Sequence, residues 1–227
     1  MTKYMFALWG AGTAELLDDS PRRALAQAGV TRLQVNLDDE PVAQAMRIPA
    51  SDPAISAIVS VWTDSGPDEL DGVLLVLDEL SDRVAGWQVD ERRPIDHPEV
   101  GDGTRADALA NTALLRRPDE LTQEEWLHRW LVDHTPVAMA TQATFGYLQN
   151  VVVASVTPDA PPVAALVEEL FPTAGITDIH AFYGSGGDDG ELNDRITRLM
   201  TSVGRFGADR GLDLVPSGRY LFDPADC

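Results

Sequence analysis

Cysteine is all but absent from this chain of 227 residues: its one thiol is Cys227, the last residue. No intrachain disulfide and no cysteine metal cluster can form, and the composition suits a reducing compartment. Basic residues are scarce as well. Lys and Arg number 17 against 37 Asp and Glu, a formal net charge of −20. Nucleic-acid binding needs a basic footprint, and an anionic membrane surface would repel such a chain. Long apolar runs are also missing. The N-terminal MTKYMFALWGAG is apolar only over 4–9, too little for a signal h-region, and no stretch approaches the roughly 18 apolar residues of a membrane span. The expected product is a soluble, cytoplasmic protein with no nucleic-acid or membrane partner.

The common catalytic and cofactor motifs are absent too. No G-x-S-x-G elbow occurs, so nucleophilic hydrolysis has no candidate. Gly10-Ala11-Gly12 begins a dinucleotide turn, but Glu15 stands where the third glycine is needed. The loop GSGGDDG at 184–190 lacks the order of a calcium-binding EF-hand loop. His97 has no partner at metal-ligand spacing, and His128 and His134 fall about 120° apart on a helical wheel. The expectation is therefore no metal and no cofactor.

What remains is an ordinary globular balance, 44% hydrophobic and 24% charged. Periodicity divides it into two halves. Strands are expected at 4–9, 30–37, 55–62 and 84–91, with helices at 13–28 and 67–80, although Gly72 and the run VLLVL leave a strand open in the latter. A polar segment rich in Pro and Gly, 95–107, marks the boundary. Beyond it, strands are expected at 109–116, 145–156, 177–183 and 212–222, and helices at 122–143, 163–170 and from about 191 to 206. Each half reads roughly β-α-β-β-α-β, the ferredoxin-like order.

The helix at 122–143 is the most informative. Thr122 and Glu125 form a capping box, with Leu121 and Trp126 at the positions of a hydrophobic staple. Trp126, Trp130, Leu127 and Leu131 make an apolar arc, and His134 lies in the middle of it. His128 lies on the far side, with the ladder Glu125, Arg129, Asp133 suited to a wet face. Pro136 cannot donate to the carbonyl of Val132, so the helix should kink or end there. A histidine on such a face is either a core imidazole satisfied by backbone or a pocket acid or base. His180, by alternation in the strand 177–183, shares a face with Asp178 and Phe182.

The stretch LLRRPDELTQEEWLHRWLVDHTPVA, followed by FGYLQN, resembles the EthD-type domains of the dimeric α+β barrel superfamily. The matching positions are Arg117, Pro118, Leu121, Thr122, Glu125, Trp126, Trp130, His134 and Pro136, then Tyr147 and Asn150, within 114–153. The corresponding helix of the first half, ELLDDSPRRALAQA, has no His, no Trp and no His-x-Pro.

The resemblance implies an α+β fold of tandem duplicated ferredoxin-like halves, 1–94 and 108–227 joined by the linker 95–107. They would close an intrachain pseudo-dimeric barrel, antiparallel sheets inside and helices outside, with at most one fully equipped pocket. The cavity between the sheets is the expected ligand site. There a small hydrophobic or aromatic compound would be bound by Trp126, Trp130, Tyr147, Asn150 and His180, with His134 moving a proton. The superfamily includes cyclases, dehydratases, decarboxylases, monooxygenases and degradation-pathway proteins, so a cofactor-free enzyme of that kind is implied. The alternatives are a non-catalytic binding or accessory protein, and a structural oligomer with a filled barrel. Tandem halves would allow a monomer without forbidding a homodimer.

Overall fold

The computed structural model describes residues 1–50, 52–99 and 103–223; Cys227 lies outside them. In the first half the order is β1 (Thr2–Trp9), a 3-10 segment (Ala11–Leu17) leading into α1 (Asp19–Gln27), β2 (Val30–Leu37), β3 (Ala57–Thr63), α2 (Asp71–Glu79) and β4 (Arg83–Ile95). Gly29, at φ +87°, turns α1 into β2. The second half opens with β5 (Leu109–Leu115), followed by one long helical run. That run is α3 (Gln123–Leu127), a π-helical stretch (His128–His134) and α4 (Thr135–Thr141). Then come β6 (Gly146–Ser155), β7 (Ala165–Phe171), a short 3-10 turn (Thr173–Ile176), α5 (Ile179–Tyr183), α6 (Asp189–Arg205) and β8 (Asp213–Phe222).

The eight strands close a barrel in the order β1-β3-β2-β8-β5-β7-β6-β4, every neighbouring pair antiparallel. The first half contributes β4-β1-β3-β2 and the second β8-β5-β7-β6, the same internal order. The seams are β2 with β8 and β4 with β6. A closed barrel leaves no edge strand to cap.

Strands of such a barrel are buried on both faces, so they read as near-continuous apolar runs. In β1, Tyr4, Phe6 and Leu8 pack outward on Leu16, Leu25, Val73 and Leu77, under α1 and α2. Met5, Ala7 and Trp9 point inward, onto Ile58, Trp87, Leu114, Leu166 and Val215 from both halves. The rest of the interior is polar. Lys3, the only lysine in the sequence, donates to Glu168 (2.5 Å), Glu91 (2.7 Å) and Asn150 (2.9 Å). Gln34 donates to Glu168 (2.5 Å) and Asn36 (2.8 Å), and Arg219 donates to Gln34 (2.9 Å). The barrel is thus filled, by an apolar cluster and by a network of charged and amide side chains.

Three local expectations give way. Residues 163–170 hold a strand, not a helix: β7 sits between β5 and β6, and pairing on both sides overrides the helical look of VAALVEEL. Residues 177–183 are helical, not extended. The Asp178 side chain accepts from the His180 N–H (2.8 Å) at the start of α5, and Gly184 ends it at φ +69°. At Pro136, where a kink or an end is expected, the helix is distorted and runs on. With no N–H at that position, the preceding turns widen into the π-helix, and the Thr135 hydroxyl donates to the carbonyl of Leu131 (2.9 Å). The widened turn also breaks the expected ion-pair ladder: Asp133 lies by His128 (3.7 Å) and Arg205 (3.8 Å) instead.

Candidate functional site

A cavity lies outside the barrel, between the outer face of the second half's sheet and its helices. It measures about 400 Å³. Its floor is a row of three side chains crossing adjacent strands: Asn111 on β5 is opposite Glu169 on β7, and Glu169 is opposite Tyr147 on β6. Opposite residues in antiparallel strands hold their Cβ atoms about 4.5–5.5 Å apart, so the row is one polar strip. Leu115, Val167 and Leu214 continue the floor as apolar surface.

The roof comes from three helical segments. The π-helical stretch supplies Trp130 and His134, α6 and its end supply Leu199, Val203 and Phe206, and α5 supplies Phe182 and Tyr183. The first half closes one side. Its β2–β3 connection brings Met46, Ile48 and Pro49 to the rim, where Ile48 and Leu214 exchange backbone hydrogen bonds of 3.1 and 2.8 Å. The Ala50 N–H donates to Asp213 (2.7 Å), which also pairs with Arg116 (2.7 Å).

Two groups dominate the chemistry. The Glu169 carboxylate has no hydrogen bond or ion pair among the described residues, and burial pushes it up to about 7. Its field, added to their own burial, pushes the phenols of Tyr147 and Tyr183 upward. His134 is buried against Phe206, ring centroids 4.8 Å apart, with Nδ1 3.0 Å from the Ser202 hydroxyl. Burial lowers it to about 4, so at neutral pH it is an uncharged imidazole with Nε2 left over. The Asn111 Oδ1 is buried with no partner. Among the described residues, no group of three or more His, Cys, Asp or Glu is placed to hold a metal ion.

Of the sequence-derived candidates, Trp130, His134 and Tyr147 meet at this cavity. The others do not. Trp126 is fully buried behind Trp130 (5.2 Å between rings), where its Nε1–H donates to the Phe206 carbonyl (3.1 Å). It holds the end of α6 rather than a ligand. Asn150 points the other way, into the barrel, on Lys3, Glu168 and the Leu166 carbonyl. His180, on α5, is tied to Ser185 (2.7 Å) and lies 3.4 Å from Asp189, away from the cavity. The expected space between the sheets is occupied by the interior network. Glu169 and Asn111 escaped the sequence reading. The available signal was two consecutive acids inside an apolar run, which on a strand must face opposite ways.

The first half has the same layers. Its outer sheet face is covered by Leu16, Leu25, Leu70, Val73 and Leu77, all buried.

No protein-family model and no curated protein matches the chain. Solved structures do. An anthrone oxidase-like protein aligns with TM-score 0.56 at 11% identity, over 97% of this chain and 90% of that one. A proposed monooxygenase of Fusobacterium nucleatum subsp. nucleatum aligns with TM-score 0.51 at 10% identity, over 98% and 93%. At these identities the likeness is one of fold. No helix among the described residues is long and apolar enough to cross a membrane.

Proposed function

We propose that this protein takes up a small, largely apolar organic compound between the second half's sheet and helices, and acts on it as a cofactor-free enzyme. Glu169 would exchange the proton. The observation that carries this reading is an unpaired carboxylate, raised to about 7, on the floor of an aromatic-walled cavity. His134 takes a different part from the one its place in the helix suggests. Uncharged and held at Nδ1 by Ser202, it offers Nε2 as an orienting hydrogen-bond group, while Trp130 and Tyr147 shape the walls. The EthD-type resemblance over 114–153 and the names of the structural neighbours support a cyclase, dehydratase, decarboxylase or oxygenase type of reaction. On the same footing, the halves 1–94 and 108–227 would be tandem copies forming a pseudo-dimer within one chain.

The test is turnover of a panel of hydrophobic and aromatic compounds by wild type, Glu169→Gln and His134→Ala. Glu169→Gln should lose the proton-transfer step, and His134→Ala should chiefly weaken binding. Unchanged turnover in Glu169→Gln sinks the assignment. A compound that binds in the cavity and is never converted supports the second reading, a non-catalytic binding protein. What favours that reading is that no other acid or base is hydrogen-bonded to Glu169.

A further inference from the structure

We propose that the compound held in this cavity carries a basic nitrogen, and that its ammonium group pairs with Glu169 and Asn111 inside a wall of aromatic rings. This rests on the reading of the cavity as a ligand site and adds the charge class of the ligand.

The other enclosed carboxylates of this chain have cationic partners. Glu168 has Lys3 and Gln34, Asp213 has Arg116, and Asp39 has Arg105. Among the described residues, buried or half-buried acids elsewhere thus receive a cation. Glu169 does not, although it lines a cavity wide enough for a ligand. The cation is missing from the protein at the place where a ligand could bring one.

The rest of the lining agrees. Among the described residues, the one Lys or Arg in the lining is Arg210 at the rim, and it is paired with Glu120. His134 is uncharged at neutral pH. An anionic ligand would therefore meet the Glu169 carboxylate with no free protein cation beside it, and could enter only by protonating Glu169. An ammonium ion finds complementary groups instead. It has three N–H donors. Glu169 accepts one, and the buried, unpartnered Oδ1 of Asn111, directly across the β5–β7 ladder, is placed to accept another. Trp130, Tyr147, Tyr183 and Phe206 supply ring surface, and a cation over such rings gains about 0.5–2 kcal/mol. At long range, a protein of net charge −20 draws cations and repels anions.

Three probes with one apolar frame separate the possibilities: naphthylmethylamine, naphthylmethanol and naphthoate, titrated calorimetrically into the full chain at pH 8. The expected order is amine over alcohol by roughly tenfold or more, with naphthoate not binding. In Glu169→Gln the amine should fall to the level of the alcohol, whose own affinity shows that the variant is folded. Asn111→Leu should weaken the amine more than the alcohol. If the alcohol or naphthoate binds wild type as tightly as the amine, or the amine's advantage survives Glu169→Gln, the inference is overturned while the cavity remains a ligand site. If none of the three binds, the reading of the cavity falls, and this inference with it.

Discussion

Glu168 and Glu169 are consecutive on β7 and carry their carboxylates through opposite faces of one strand into opposite states. Glu168 enters the barrel. Burial there would raise it, but Lys3 at 2.5 Å, His97 and Gln34 outweigh burial and hold it well below the usual carboxylate range. Glu169 enters the cavity, where burial acts unopposed. One residue of strand thus separates an acid fixed as an anion from one poised near neutrality, and only the second is free to exchange a proton.

That contrast gives Glu169 a measurable effect on stability. Its folded value of about 7 lies above the ordinary 4.5, so the unfolded chain releases the proton first. The group leaves folding unaffected below about pH 4.5, and it destabilises increasingly as the pH rises to about 7. Glu169→Gln should therefore stabilise the protein by on the order of 2–3 kcal/mol at pH 8 and by little at pH 4. Urea unfolding at the two pH values checks this.

For Glu168 the expected result is the reverse. Lys3→Met strands a buried carboxylate and should cost about 3–5 kcal/mol, while Lys3→Met with Glu168→Gln should recover much of the loss. A double-mutant cycle on thermal unfolding measures the coupling, and an additive result would mean the pair is not coupled.

His134 should make the fold sensitive to acid. Burial holds it near 4 against an ordinary 6.5, so the unfolded chain takes up the proton first and stability falls as the pH drops from 6.5 to 4. His97, likewise buried and lowered to about 4, adds to the effect. His134→Gln should flatten this acid limb by on the order of 2–3 kcal/mol across the window. Equal slopes in the two proteins would show that the imidazole is not desolvated.

Tyr147 and Asn150 lie on the same strand and face opposite sides of it. Tyr147→Phe should alter ligand affinity with a small change in stability. Asn150→Ala should leave affinity unchanged and cost about 1–3 kcal/mol, because it removes partners from Lys3 and Glu168. Parallel binding and unfolding measurements separate the two, and an affinity loss confined to Asn150→Ala would place the ligand inside the barrel.

Much of the architecture was legible before any coordinates. Runs buried on both faces announced most of the strands, the Thr122–Glu125 box marked a helix start, and in the first half the β-α-β-β-α-β order followed from their succession. His134 could be placed on an apolar helix face because 3.6-residue periodicity is a local property. The strand at 165–171 was not legible, because its sequence suits a helix and only its place between β5 and β6 makes it a strand. The same error hid Glu169.

The sequence by itself determined the class of element along most of the chain, an acidic composition with a single lysine, and which helix carries the aromatic residues. Those follow from local propensity and composition. The tertiary structure decided where the empty space lies. Closing the barrel brought Lys3 onto Glu168 from 165 residues away and filled the interior. The wide π-turn before Pro136 and the reach of Ile48 across to Leu214 frame the cavity outside it. A cavity is what packing leaves over, and no segment of the chain encodes it alone.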